Sequence, residues 1–124
     1  MNKLMRPAVD ASGPQAIYEA FLARGKFMIQ RARATGEHVF YPRVLSPAGE
    51  DDLEWVEATG RGTIYAVTVN RTREGAHNIV LVDLEEGPRM MTTIPGVETA
   101  LIGARVKARI EAGDPPRVVF DLEE

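Results

Sequence analysis

Two histidines and one run of carboxylates are the side chains of this 124-residue sequence that could serve acid–base catalysis or metal binding. His38 and His77 lie far apart, and neither belongs to an H-E-x-x-H motif or a comparable ligand spacing. Four carboxylates between Asp51 and Glu57 flank or enter a predicted strand, where charged side chains usually face solvent. We therefore expect no catalytic or metal-binding role for either group.

A short glycine motif, Gly60-Arg61-Gly62, is the remaining candidate for a ligand-binding loop. A P-loop would continue to Gly-Lys and a hydroxyl residue, and a dinucleotide loop would need a third glycine that opens a helix. Here a β-like run follows, so the glycines are expected to permit a tight turn or a bulge. A G-x-S-x-G elbow and cysteines are also absent from the sequence. These residues do not predict an independent enzyme.

The elements that would position any site begin with a helix, predicted over residues 13–24. Ser12 and Gln15 have the spacing of a capping box, and Gly25 can end the helix in a left-handed conformation. Two short strands are predicted next, at Phe27–Ile29 and Val39–Tyr41, and a polar turn over residues 47–52 follows them. Further β-like runs lie at Leu53–Ala58, Thr63–Asn70, Ile79–Leu84, Arg89–Thr93, Arg105–Glu111 and Arg117–Leu122.

This pattern divides the chain into a helical segment at residues 1–25, a hairpin-like module at 26–50 and a β-rich segment at 51–124. Five or six short strands separated by turn residues favour a small barrel or sandwich over a parallel α/β sheet. Trp55 and Tyr65 are expected to belong to its core.

Composition limits the classes of function. The formal net charge is −3, but residues 1–49 hold seven Lys and Arg against three Asp and Glu, whereas residues 50–124 hold eight against fifteen. An acidic β-rich segment argues against binding of a polyanion such as nucleic acid. The longest apolar runs, at residues 64–67 and 79–82, are too short for a membrane helix, and the first residues lack a signal-peptide pattern. We expect a cytoplasmic protein without a membrane partner.

Several motifs together resemble one protein family. In chain order they are Ile29-Gln30-Arg31-x-Arg33, Tyr41-Pro42-Arg43, Leu53-Glu54-Trp55-Val56-Glu57, Gly60-Arg61-Gly62-Thr63-Ile64-Tyr65, Glu86-Gly87-Pro88-Arg89 and Ile102-Gly103-Ala104-Arg105-Val106-Lys107. The set resembles the domain-of-unknown-function thirty-five (DUF35) family. That resemblance implies a mainly β fold with an N-terminal helix, a rubredoxin-like zinc-ribbon hairpin and a C-terminal five- or six-stranded OB-fold barrel.

The resemblance also implies a function. Members are associated with thiolases, hydroxymethylglutaryl-CoA synthases and acyl-CoA hydratases, as non-catalytic subunits that hold or pass acyl-CoA. For this chain it implies a non-catalytic acyl-CoA-binding or scaffold subunit of a thiolase-like or hydratase-like enzyme; a homodimer stays open. Because CoA is anionic, five arginines are candidates to contact its phosphates. They are Arg31, Arg33, Arg43, Arg61 and Arg71. The alternative is an OB-fold protein that binds single-stranded nucleic acid.

One departure from the family concerns zinc. The ribbon's two Cys-x-x-Cys pairs map onto Ala32 with Thr35 and onto Ser46 with Gly49, so every thiolate ligand is missing. We therefore predict a degenerate ribbon without a metal. Apolar packing of the hairpin against the predicted helix is the expected substitute. The residues expected to supply it are Phe27, Ile29, Val39, Phe40 and Tyr41 on the hairpin and Tyr18, Phe21 and Leu22 on the helix.

Overall fold

The computed structural model describes residues 13–44 and 52–123 and has two antiparallel sheets, of three and five strands. The elements are α1 (Pro14–Ala23), β1 (Met28–Ala32), β2 (His38–Val39), β3 (Leu53–Glu57), β4 (Arg61–Thr72), β5 (Gly75–Leu84), β6 (Arg89–Thr92), β7 (Arg105–Glu111) and β8 (Arg117–Leu122). The predicted mainly β fold with one N-terminal helix is confirmed for these residues.

Helix α1 begins and ends within a residue of its predicted limits. Pro14 occupies the first turn, where its missing N–H leaves no hydrogen bond unmade, and the N-cap is Gly13. Ser12, the predicted cap, lies outside the described residues. At the other end the N–H of Gly25 donates to Leu22 O at 2.9 Å, and Gly25 has a φ of +81°. The predicted left-handed stop is therefore confirmed.

The three-stranded sheet has the order β2-β1-β3. The sequence pattern placed β3 as the first strand of the C-terminal β-rich segment; in the structure β3 pairs with β1, from Met28↔Glu57 to Ala32↔Leu53. Periodicity identifies a strand without identifying its partner. The predicted boundary near residue 50 thus lies between two strands of one sheet, in residues that the structure does not describe.

The five-stranded sheet has the order β6-β5-β4-β7-β8. Its two edge strands approach each other through two hydrogen bonds: the Phe120 N–H donates to Thr93 O at 3.1 Å, and Thr92 Oγ1 donates to Val118 O at 3.0 Å. No β6–β8 ladder forms among the described residues, so the predicted barrel is an OB-type sheet that is curved but not closed.

One continuous apolar core joins the helix to both sheets. Its most deeply buried members are Ile29, Val80, Val82, Val106 and Phe120. Packing of the hairpin on the helix is confirmed by three edge-to-face aromatic pairs among Tyr18, Phe27 and Phe40, with centroids 5.8 to 6.5 Å apart. Tyr41 is an exception, since it is 55% exposed. Within the described residues, no helix is long and apolar enough to span a membrane.

Candidate functional site

Three of the five predicted ligand arginines are neutralised by carboxylates. Arg31 contacts Glu54 at 2.6 Å, and Arg33 contacts Asp52 at 2.7 Å and Glu54 at 3.3 Å. Arg71 forms an ion pair with Glu98. Partial desolvation raises the pKa of Glu54, but hydrogen bonds from Arg33 and Arg31 outweigh it and hold this pKa below its usual value. The charge of these arginines is therefore used within the fold.

Arg43 and Arg61 form no ion pair with any described residue. The five arginines do not lie together, however. Arg61 begins β4 and Arg71 lies ten positions along the same strand, which separates them by about 30 Å. No single ligand phosphate can contact both. Of the five arginines, Arg43 and Arg61 remain as candidates without an ion pair to a described residue.

Arg43 borders a cavity of about 220 Å³ where the two sheets meet. The segment after β2 supplies Tyr41 and Arg43, and the start of β6 supplies Arg89. Two contacts hold these walls in place. In the first contact, the Met91 N–H donates to Tyr41 Oη at 3.1 Å. In the second, the side-chain amide of the buried Gln30 donates to Arg43 O at 2.8 Å and accepts from the Arg43 N–H at 2.7 Å. We call this the junction cavity.

Arg89 is held rigidly at the edge of the junction cavity. Its Nε donates to Asp83 Oδ1 at 2.5 Å, and its guanidinium carbon lies 3.3 Å from the ring centroid of Tyr65. The expectation that Tyr65 is a core residue is wrong, because the ring is 49% exposed. A register shift between Ile64 and Ala66 inserts Tyr65 as an extra residue of β4 and places its ring on the outer surface. Trp55 packs against the core as predicted.

A second exposed feature lies between β6 and β7, in residues 97–103, which we call the 97–103 loop. Leu101 is 81% exposed and Ile102 is 71% exposed. Large apolar side chains in water mark sites of association when they lie side by side. This pair is the most exposed apolar dipeptide among the described residues.

The 97–103 loop is anchored at both ends. At its start, Asn78 Nδ2 donates to Val97 O at 2.9 Å, and Glu98 forms the ion pair with Arg71. At its end, the Gly103 N–H donates to Ile64 O at 2.8 Å. The loop therefore presents Leu101 and Ile102 on a fixed backbone, which reduces the entropy lost on binding.

Sequence reasoning missed Arg89, Tyr41, Leu101 and Ile102 as functional candidates. A signal existed for the first two, because they belong to the Glu86-Gly87-Pro88-Arg89 and Tyr41-Pro42-Arg43 motifs. For Leu101 and Ile102 the sequence offers only two adjacent apolar residues, which are as compatible with a core as with a surface.

The mapped zinc-ligand positions are only partly described. Ala32 is fully buried, and Thr35 Oγ1 accepts a hydrogen bond from the Glu37 N–H at 3.2 Å. Ser46 and Gly49 lie outside the described residues. In residues 13–44 and 52–123, no three His, Cys, Asp or Glu side chains are close enough to share a metal ion.

Comparison with known proteins adds a family match and two solved structures. Residues 55–111 match the family described as the C-terminal OB-fold domain of ChsH2. A chain of the structure titled Ltp2-ChsH2(DUF35) aldolase is 28% identical, with a TM-score of 0.78 over 94% of this chain and 98% of that chain.

A DUF35 protein of unknown function from Sulfolobus solfataricus is 19% identical, with a TM-score of 0.65 over 91% of this chain and 90% of that chain, and shows the shared fold. No curated protein matches. The family match falls on β3 to β7, the same strands that carry most of the motifs quoted above. The family match over residues 55–111 and the fold shared with both structures together support a DUF35-type OB-fold protein.

Proposed function

We propose that this protein is a non-catalytic subunit that binds an acyl-CoA-processing enzyme of the thiolase, hydratase or aldolase type. The observation that carries the proposal is the structural match along 94% of the chain to a chain of the Ltp2-ChsH2(DUF35) aldolase. Because fold alone does not establish function, the proposal also needs a surface on which such an enzyme could bind.

The 97–103 loop supplies that surface. Leu101 and Ile102 are unpartnered apolar side chains on an anchored backbone, and the nearby charge of Glu98 is neutralised by Arg71. An exposed apolar pair without net charge nearby is better suited to an apolar pocket on another protein than to an anionic polymer. In residues 13–44 and 52–123, several of the basic side chains on the sheets are paired with carboxylates, which argues against the alternative of nucleic-acid binding.

Substituting both exposed apolar residues of the 97–103 loop, Leu101→Asp with Ile102→Asp, should strongly weaken enzyme binding. Each charge would have to be desolvated in an apolar pocket, so we expect affinity to fall by about 100-fold. Tagged wild-type and variant proteins would capture partners from native cell extract, and mass spectrometry with an acyl-CoA turnover assay would identify the enzyme.

Val44→Asp is the matched control, because Val44 is also 71% exposed and lies outside the loop. It should retain the enzyme. Recovery of the same enzyme with the double variant would contradict the proposed surface. Recovery of no acyl-CoA-processing enzyme by the wild-type protein would contradict the proposed function.

Acyl-CoA binding is a further part of the proposal. Of the five arginines predicted from the sequence, Arg43 and Arg61 are the two that form no ion pair with a described residue, whereas the other three are paired with carboxylates. The proposed contacts to CoA phosphates are therefore reduced from five arginines to Arg43 and Arg61.

We also propose that the three-stranded sheet is stabilised without zinc. Gln30, 4% exposed, ties β1 to the Arg43 backbone, and the Arg33 N–H donates to Asp52 O at 3.0 Å. Gln30→Ala would leave the Arg43 N–H and carbonyl without these side-chain partners and should lower the free energy of unfolding by about 2 kcal/mol.

Thermal unfolding of the wild-type protein should give the same Tm with EDTA and with zinc. A Tm lowered by EDTA would contradict the metal-free proposal.

A further inference from the structure

The second half of β4 has one edge without a hydrogen-bonded neighbour. β7 pairs only with the first three residues of β4, and the Gly103 N–H at the end of the 97–103 loop donates to Ile64 O. After the register shift, β4 continues with β5 along one side. On the other side, the backbone of residues 67–71 forms no hydrogen bond with any described residue. We call residues 67–71 the open edge.

The ladder between β5 and β6 shows which backbone groups of the open edge are unpaired. The Leu84 N–H donates to Pro88 O, so every second residue of β5 directs its backbone groups toward β6. The intervening residues of β5 face β4, and they include the partners of Thr68 and Asn70. The other residues of the open edge direct their N–H and C=O groups away from β5. They are Val67, Val69 and Arg71.

The outer strands of the same sheet, by contrast, are protected by hydrogen bonds. On β6 the Met91 N–H donates to Tyr41 Oη, and on β8 the Phe120 N–H donates to Thr93 O. Proteins also use proline or lysine to keep an edge strand from pairing with another chain. The open edge reads Val-Thr-Val-Asn-Arg, which contains neither residue and begins with three β-branched side chains. This composition favours the addition of another strand.

The side chains of the open edge indicate what kind of strand fits it. Val67 and Val69 are partly buried on the core side of β4, whereas Thr68 and Asn70 are exposed on the outer face. Since side chains alternate between the two faces of a sheet, an added strand needs apolar residues on one face and polar residues on the other.

The 97–103 loop extends this surface. Leu101 and Ile102 directly precede Gly103, which is bonded to Ile64, so they lie where the open edge begins. The two exposed apolar side chains and the unpaired backbone groups therefore form one continuous surface. A partner that supplies an apolar contact beside its added strand would cover both parts of it.

A second copy of this chain fits the open edge poorly. The symmetric antiparallel register that pairs all three unpaired residues is centred on Val69 and aligns residue 67 with residue 71 of the second copy. This register directs the exposed hairpin tip of the second copy, residues 73–75, toward Leu101 and Ile102. Because the tip contains an arginine and a glutamate, it would set charged groups against apolar side chains.

We propose that an extended segment of the partner enzyme adds to the five-stranded sheet beside the open edge of β4, while the adjoining enzyme surface covers Leu101 and Ile102. The backbone groups of Val67, Val69 and Arg71 hold the added strand, and its apolar face lies beside the two valines. This proposal deepens the proposed function and rests on it for the identity of the partner.

Hydrogen exchange with residue-level detection tests the added strand directly. In the protein alone, the amides of Val67, Val69 and Arg71 should exchange quickly, whereas those of Thr68 and Asn70 should exchange slowly because β5 binds them. The enzyme identified by capture is then added in excess. The three fast amides should slow by more than about tenfold, while the two slow amides should change little.

Two substitutions at Val69 test the same strand through affinity. Val69→Pro removes an N–H that β5 does not use, so the hydrogen bonds of the β4–β5 hairpin remain. Val69→Ala is the matched control, since it also shortens the side chain but keeps the N–H. Val69→Pro should bind the enzyme about tenfold more weakly than Val69→Ala does. Slow exchange at Thr68 in both variants verifies that the hairpin is intact.

The outcomes separate strand addition from the proposed function. If the enzyme binds but the three amides exchange as in the protein alone, or if both Val69 variants bind it equally, strand addition is overturned and the enzyme-subunit function stands. If no acyl-CoA-processing enzyme is captured, both are overturned. If the three amides are already slow without the enzyme and light scattering gives the mass of a dimer, the open edge belongs to a second copy and the proposal is wrong.

Discussion

Gly62→Ala should destabilise the protein by about 3 kcal/mol, because no space exists for one additional methyl group at this position. A Cβ atom built on Gly62 would lie 2.5 Å from Val82 Cγ1 and 2.8 Å from Asp83 O. Val82 is fully buried and Asp83 O belongs to the backbone of β5, so neither can move without disturbing the sheet. Urea unfolding followed by circular dichroism would measure the loss.

Two variants control this experiment. At Gly13, no atom lies within 4 Å of a built Cβ and the backbone has a φ of −66°, so Gly13→Ser should change stability by less than about 1 kcal/mol. Combining Gly62→Ala with Val82→Ala removes one of the two clashes and should show coupling between the two positions. A Gly62→Ala protein as stable as the wild type would show that β4 and β5 do not approach as described.

Asn78→Ala should cost about 3 kcal/mol, since Asn78 is the buried polar group that fixes the segment between β6 and β7. Its Nδ2 donates to Ile94 O and Val97 O, both at 2.9 Å, and its Oδ1 accepts from the Ile94 N–H at 2.7 Å and from Thr93 Oγ1 at 2.8 Å. Alanine would leave the Ile94 N–H, Ile94 O and Val97 O without these side-chain partners, whereas Thr93 Oγ1 would keep its hydrogen bond to Asn78 O at 2.9 Å. Each orphaned group in the interior costs roughly 1–3 kcal/mol, and the costs are not additive.

The same substitution should loosen the 97–103 loop. Hydrogen exchange at the Ile94 amide should accelerate together with exchange in that loop, and enzyme capture should weaken even though Leu101 and Ile102 are unchanged. Asn70→Ala is the control, because Asn70 is an exposed residue on the adjacent strand and should be nearly neutral. Equal stability of the two variants would contradict the role assigned to the buried amide.

Local sequence determined the elements themselves. The limits of β7 and β8 were predicted to the residue, and those of helix α1 to within one residue at each end. These limits depend on local signals, namely the alternation of apolar side chains in the strands and the positions of Pro14 and Gly25 at the ends of the helix. The glycines at positions 60 and 62 were predicted to permit a tight turn or a bulge; the structure shows a left-handed conformation at Gly60 and a close backbone approach, not a bulge, at Gly62. Gly60 has a φ of +81°, and Gly62 lies against β5.

The tertiary structure alone decided which of these elements and side chains meet. The pairing of β3 with β1 and the outward position of Tyr65 depend on backbone hydrogen bonds between distant segments, which periodicity does not encode. The charge available at Arg31 likewise depends on Glu54, 23 residues away in sequence. The resemblance to the family named five candidate arginines, but only the folded chain shows which of them are paired with carboxylates, because the choice of partner depends on contacts between distant segments.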